Sequence, residues 1–446
     1  MKPQFLPLFL LFGLCALAQT PQEEILSNRL LSGSNYVAYI APDKPLSPAP
    51  QGYEPFYISH YGRHGSRWMA ADVQYSDVLK VFEKADRYNQ LTPKGKEVFS
   101  QLGDFYAVAK DHIGELTTVG ERQHHGIARR MTEHFPEVFR GNAQVDARSS
   151  IIIRCILSME AEMEELAAFN GNIKFHNDVS PSYMYYIHAF ASLTEEQKRI
   201  YKEMESVKED YLQRFVHPER LMGVLFNDVQ WVNRNVDAVS FMLRFFDIAA
   251  NMQSHDSAPD FFSLFSDEEC YDLWRVRNIG SYVQYANAPA SQGKMHYTQV
   301  SLLKNFIETA DTVIGNADFN GATLRFGHEV DILPLACLLQ LGNCDTAVAD
   351  LDALDQCWAN YRIFPMASNI QLVFYRPKKS KKGESEKPIL VKALLNEREV
   401  TLPVPTNQYP YYNWQDLKSY YLSVIKSHSP QPSRSTPSAP ITPSLF

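Results

Sequence analysis

A chain of 446 residues, 45% apolar and 21% charged, has the make-up of a globular protein with enough length for a large core. Its formal net charge of −8 excludes a general binder of nucleic acid, which needs a basic face, but leaves room for a locally cationic pocket. Beyond residue 20 no apolar run is long enough to span a bilayer, so no membrane partner is expected.

The amino terminus carries Lys2, an apolar run over residues 5–17 and Ala16-Leu17-Ala18 before Gln19, which reads as a signal peptide over residues 1–18. The expectation is a secreted protein, periplasmic or extracellular. Removing the leader leaves Cys155, Cys270, Cys337, Cys344 and Cys357, an odd number, so at least one thiol is unpaired unless two chains bridge. On a continuous helix Cys337 and Cys344 would lie about 10 Å apart, too far to join, although Gly342-Asn343 is a stop that could fold Cys344 back. No Cys or His cluster has zinc spacing, and no metal or cofactor is expected.

Residues 53–61 (YEPFYISHY) read as a strand that breaks into the loop GRHGSR. Thr92-Pro93 and Thr118-Val119-Gly120-Glu121 mark two helix starts, the second as a capping box. His124-His125 is expected to face solvent, and Arg129-Arg130 to form an exposed helix face rather than a substrate rim. Residues 145–153 read as a short strand ending at Arg154 and leading into the helical pattern LSMEAEMEELAAF. From about residue 172 to about 290 the chain looks helical and aromatic, as an inserted cap. Residues 323–326 are the next strand, Gly327-His328-Glu329 a turn and 332–341 a helix. Residues 369–376 and 388–395 form a hairpin whose lysine-rich tip is solvated. The last twenty residues, rich in Pro and Ser, cannot build a core.

The expected fold is thus α/β, a central mostly parallel sheet flanked by helices, with a large inserted helical cap. Its divisions are a core over 19–165 and 291–426, a cap over 166–290 and a disordered tail over 427–446.

Arg63-His64-Gly65-Ser66-Arg67 is the most informative string. An imidazole between two guanidiniums is implausible as a buried structural element, because desolvated arginines require an anion. A phosphoryl group supplies one, and its oxygens match the planar guanidinium fork. Taken singly, Arg154 reads as a surface charge and His328 as a structural histidine; their shared place at strand ends raises both, since ligands of α/β sheets bind where strand ends converge.

With RHGSR, GELTTVGERQHHGIARRM, ARSSIIIRCILS and GHEVDILPL in view, the chain resembles the histidine acid phosphatase family, and within it the multiple inositol polyphosphate phosphatase branch. The resemblance implies His64 as the nucleophile that becomes phosphorylated, and Arg63, Arg67, Arg154 and His328 as phosphate ligands. It also implies a carboxyl general acid near His328. The family proline two residues after the second arginine is replaced by Met69, and the second motif reads His328-Glu329-Val330-Asp331, so either carboxyl could be that acid; adjacency to His328 favours Glu329. The implied substrate is a small polyanion, inositol hexakisphosphate or a lower inositol phosphate. The alternatives are a broad-specificity phosphatase of the same chemistry and a non-catalytic phosphoanion-binding relative.

Overall fold

The computed structural model describes residues 19–378 and 387–428. The expected leader, the expected tail from residue 429 on and most of the hairpin tip lie outside the described residues; residues 427 and 428, assigned to that tail, instead end the helix Trp414–His428.

Eight strands form one sheet: β1 (Tyr53–Arg63), β2 (Gln144–Ser149), β3 (Lys174–Val179), β4 (Gly321–Gly327), β5 (Asn369–Pro377), β6 (Leu390–Leu395), β7 (Arg398–Val400) and β8 (Tyr412–Asn413). Their order is β3-β2-β4-β1-β5-β6-β7, with β8 on β6. The first four strands are mutually parallel, and β5, β6 and β7 extend the sheet in antiparallel steps. The expected α/β class holds. Every residue of β4 is buried, as a central strand covered on both faces requires.

On one face Ile127, Met131, Met159 and Leu166, from the helices Thr118–His134 and Ile153–Phe169, pack against Val145 and Leu324. On the other, the helices Val300–Ile314, Glu329–Leu338 and Trp414–His428 pack Phe306, Leu333 and Trp414 against Tyr57, Leu372 and Phe374. A separate core joins Phe82, Leu102, Phe226, Phe241, Phe245 and Leu273. It draws on helices Val73–Arg87 and Pro93–Ala109 as well as residues after 215, so the helical body takes in chain that the expected division gave to the sheet domain. Conversely, residues 174–179 leave the expected cap and pair in parallel with β2 as the sheet's edge strand. That strand is mostly exposed, and so lacks the apolar alternation that would reveal it.

Two other expectations shift by a few residues. The strand expected to run on to Arg154 ends at Ser149, and a helix starts at Ile153, which places Arg154 in a helical first turn. The capping box expected at Thr118 is displaced: Thr117 is the cap, its hydroxyl accepting from Gly120 N. The same hydroxyl donates to Ser66 O at 3.0 Å, tying the helix start to the RHGSR loop. Thr92 caps the helix that begins at Pro93, as expected. The hairpin β5–β6 is also present, in antiparallel register from Ile370↔Leu395 to Tyr375↔Leu390. All five described cysteines are free; Cys344 does fold back, but Cys337 donates its thiol to the Cys344 carbonyl instead of bridging. Among the described residues no helix is long and apolar enough to cross a membrane.

Candidate active site

The parallel strands β1, β2 and β4 end side by side, with Arg63 opposite Gly327 and Ser149 opposite Phe326. The segment after each strand is therefore delivered to one crevice: RHGSR after β1, the helix carrying Arg154 after β2, and His328-Glu329 after β4. The RHGSR loop is pinned by its backbone, Arg63 N donating to Ser368 O (2.8 Å) and His64 N to Gly327 O (3.0 Å). Gly65 serves close approach rather than a left-handed turn. A Cβ there would sit 2.5 Å from Gly120 O, and one on Gly120 would sit 2.2 Å from Ser66 O. The two glycines let the Thr118 helix lie directly on the loop. Gln123 on that helix accepts from Ser66 N and donates to Ser66 Oγ, holding both ends of the serine.

His64 is fully buried. Its Nδ1 is 2.9 Å from Gly65 O, an acceptor only, so Nδ1 carries the hydrogen and Nε2 presents a lone pair. Burial, then the charge of Arg154 and also that of Arg63, push the imidazole down to about 3, so it stays neutral over the ordinary pH range. Nε2 has no hydrogen-bond partner, and Glu329 Oε2 lies 3.5 Å from it.

The guanidiniums share this incompleteness. Arg63 is fully buried and donates from Nη1 to Asn35 O and Phe364 O, yet Nε and Nη2 lack hydrogen-bond partners. Burial pushes it down to about 10, with Arg67 and Arg154 adding repulsion and Glu329 opposing both. Arg67 is 4% exposed, spends Nη1 on Trp68 O and leaves Nε unpaired. Arg154 has one long bond to Gly114 O, at 3.5 Å, and an unpaired Nε. Unpaired buried donors on three mutually repelling cations define a seat for an anion. Side-chain atoms of His64, His328 and Glu329 also lie within 4.8 Å of one another, a spacing a cation could use, but the surrounding guanidiniums favour negative charge.

His328 closes the other side, its ring centroid 5.7 Å from that of His64. Ser150 Oγ lies 3.1 Å from its Nε2, and the Cys155 thiol, which donates to Gly327 O, rests 3.7 Å from the same nitrogen. Burial first, then the charges of His188 and Arg154, hold His328 well below the ordinary histidine value.

The two candidate acids separate cleanly. Both lie in the first turn of the helix Glu329–Leu338. Glu329 turns to the crevice, 21% exposed, with Oε2 3.3 Å from Arg63 Nε. Burial pushes its carboxyl up, but Arg63, the contact with His64 and Arg67 outweigh this and hold it well below the usual carboxylate range. Asp331 is fully buried and turned away, 2.7 Å from His188 Nδ1 and accepting from Phe190 N and Gln299 Nε2.

All six residues expected from the sequence thus surround one crevice. Sequence reasoning missed Ser150, Cys155 and Gln123, which lie within the quoted strings but carry no distinctive chemistry there, and His188, which lies outside them. It also misplaced His124, which is fully buried with Nδ1 2.8 Å from the equally buried Glu162. Its neighbour His125 is partly exposed among Glu121, Glu164 and Glu165. Arg130 is not a free rim either, since it is bonded twice to Glu397.

The multiple inositol polyphosphate phosphatase 1 of Gallus gallus is 20% identical to this chain over 403 residues, covering 87% of the chain and 86% of the relative. The crystal structure of the Bifidobacterium longum multiple inositol polyphosphate phosphatase with inositol hexasulfate superposes with a TM-score of 0.67 at 17% identity, over 88% of this chain and 97% of that one. The phytase from D. castellii superposes with a TM-score of 0.65 at 14% identity, over 91% of this chain and 87% of that one. These structures share the fold. The family model of the histidine phosphatase superfamily, branch 2, matches residues 62–396, from the glycine before Arg63 to the turn after β6, and the chain belongs to that superfamily.

Proposed function

We propose that this chain is a phosphomonoesterase acting on inositol polyphosphates, phytate among them, through a phosphohistidine at His64. The observation that carries the reading is the set of unpaired buried donors on Arg63, Arg67 and Arg154 around the bare Nε2 of a neutral His64. The substrate class is supported by two relatives: one is named for inositol polyphosphates and another binds inositol hexasulfate.

In the first step the Nε2 lone pair forms a bond to phosphorus while the bond from phosphorus to the ester oxygen breaks. The guanidiniums and His328 stabilise the equatorial oxygens, the part that preorganised charge plays in phosphoryl transfer. Nδ1–H stays on Gly65 O, which keeps the ring oriented and stabilises the positive charge it acquires. The leaving alkoxide takes its proton from Glu329. An arriving phosphate dianion displaces that carboxylate from Arg63 and adds negative charge beside it, so its proton affinity rises and it takes up a proton from solvent before the transfer. In the second step Glu329 takes a proton from water, the water oxygen bonds to phosphorus, and the N–P bond breaks.

Purified protein incubated with phytate should release inorganic phosphate and, quenched in alkali, carry an acid-labile phosphoryl group on His64. Phosphate release with no trappable phosphoenzyme would reject the covalent route. Release from p-nitrophenyl phosphate but not from phytate would reject the substrate class. Export is proposed on the leader over residues 1–18, and a mature protein starting at Gln19 in the culture fluid or periplasm is the expected product.

A further inference from the structure

His188 lies outside every motif, in the segment after β3, yet it is fixed to the catalytic strand ends. Tyr61 donates its hydroxyl to Ile187 O at 2.8 Å, and a Cβ on Gly327 would meet that same carbonyl at 2.9 Å. The backbone next to His188 is thus pressed onto the ends of β1 and β4. Asp331 holds the other side, with Oδ2 2.7 Å from His188 Nδ1 and Oδ1 accepting from Phe190 N at 3.2 Å. The imidazole then leans over His328, ring centroids 4.6 Å apart. Nδ1 is committed to Asp331, while Nε2 has no hydrogen-bond partner among the described residues and the side chain keeps 15% of its surface open.

Three imidazoles therefore run outward from the nucleophile, with His328 between His64 and His188. The phosphoryl group being transferred sits at His64, so an anion at His188 must be a different one. A buried aspartate with no other cation against it among the described residues gives the imidazole a reason to carry charge. Burial opposes protonation of His188, but Asp331, with Glu329 adding to it and Arg154 subtracting, raises it above the ordinary histidine value.

We propose that His188, held by Asp331 and packed against His328, is a substrate-binding residue that takes a second phosphate of a polyphosphorylated substrate, one that is not being transferred. This rests on the proposed inositol polyphosphate substrate. Such a contact selects substrates bearing several phosphates over simple monoesters.

The test is binding rather than turnover, with inositol hexasulfate and inorganic sulfate as probes because neither titrates near neutrality. The groups that face His188 are Asp331, His328, Glu329 and Arg154. His328 and Glu329 are held well below their ordinary values, so above pH 6 they do not change charge. Wild-type affinity for inositol hexasulfate should fall about tenfold as pH rises through the His188 titration, and His188→Asn should remove that step. At pH 6 His188→Asn should weaken hexasulfate at least fivefold more than sulfate. Equal weakening of both probes would make His188 a support for His328 and overturn the proposal. Should His188→Asn fold poorly, the wild-type imidazole still decides: its NMR titration should move to higher pH with hexasulfate and not with sulfate, and no movement overturns the proposal. Failure to hydrolyse phytate would sink the substrate reading while leaving these binding results to stand or fall alone.

Discussion

Two arginines lie within the sheet at equal depth and in opposite states. Arg325, on β4, is 1% exposed, and each nitrogen of its guanidinium has a partner: Asn305 at Nε, Ser59 Oγ and His60 O at Nη1, and Thr309 at Nη2. Its carbon also lies 4.3 Å from the Phe306 ring centroid. Arg63, on the neighbouring strand, is 0% exposed and leaves Nε and Nη2 without a hydrogen-bond partner, Nε facing the Glu329 carboxylate at 3.3 Å. Burial alone therefore does not mark a functional charge. A structural guanidinium is saturated by the fold, whereas one kept for a ligand retains donors that the fold leaves unanswered.

The sharpest use of this contrast is at the nucleophile. His64→Ala should lower turnover on the order of 10⁴-fold or more, since it removes the atom that accepts phosphorus. The fold should persist, because the histidine side chain bonds only to the carbonyl of Gly65, its own neighbour. Far-UV circular dichroism with phosphate-release kinetics checks both halves.

A pair of substitutions tests the arginines directly. Arg154→Met should cost roughly 10²–10³-fold in turnover on every substrate, as loss of a preorganised charge does, while leaving the urea midpoint unchanged or raised. Its one protein bond, at 3.5 Å, is little to lose. Arg325→Met should do the reverse. It removes the guanidinium partner of buried Ser59 and of half-buried Asn305 and Thr309, and should destabilise by about 3 kcal/mol, with losses of activity that track the unfolded fraction. Phosphate at 100 times its Kd should stabilise the wild type by about 2.7 kcal/mol, and Arg154→Met should lose most of that shift. Equal stability losses in the two variants would break the distinction between saturated and unsaturated guanidiniums.

The two carboxylates of the same helical turn repeat the contrast on a smaller scale. Glu329→Gln should lower phytate hydrolysis about 10²-fold and spare most activity on p-nitrophenyl phosphate, whose leaving group departs unprotonated. At saturating substrate Asp331→Asn should lower turnover of both together, through the packing of His188 and Phe190, while its loss of charge on His188 raises KM for phytate alone. A loss of turnover number confined to phytate in the aspartate variant would reverse the assignment.

Much of this site is legible in the chain itself, for identifiable reasons. RHGSR is local: one strand end and one loop bring Arg63, His64 and Arg67 together, so adjacency in the chain is adjacency in space. His328 and Glu329 are legible for the same reason. Arg154 is legible too, but on the wrong element, because Ile151-Ile152-Ile153 reads as strand while the backbone turns at Ser150 and begins a helix. β3 is hidden by its exposed, polar residues. His124 reads as solvent-facing because its acidic partner, Glu162, lies 38 residues away on another helix. The His188–Asp331 pair spans 143 residues, and no spacing within either segment announces it.

The smallest expected effect concerns acid stability, and its source is the neutral nucleophile among cations. His64 is held down to about 3 in the folded protein, against about 6.5 for an unfolded histidine. Between those values the unfolded chain binds a proton that the folded one refuses, so stability falls as pH drops from about 6.5. Glu329 acts in the same direction at lower pH: its depressed value contributes stability above the ordinary carboxylate range, lost as pH falls through the folded value. His60, His255 and His296, each pushed down to about 4 by burial, add to the slope in wild type and variant alike. The difference between wild type and His64→Ala therefore reports the nucleophile together with its charge coupling to His328 and Glu329. Urea midpoints measured without phosphate should fall less in His64→Ala than in the wild type between pH 6.5 and 5, by about 1–2 kcal/mol in stability. Parallel curves would mean that His64 is protonated in the folded protein near pH 6, and an imidazolium has no lone pair at Nε2 with which to attack phosphorus.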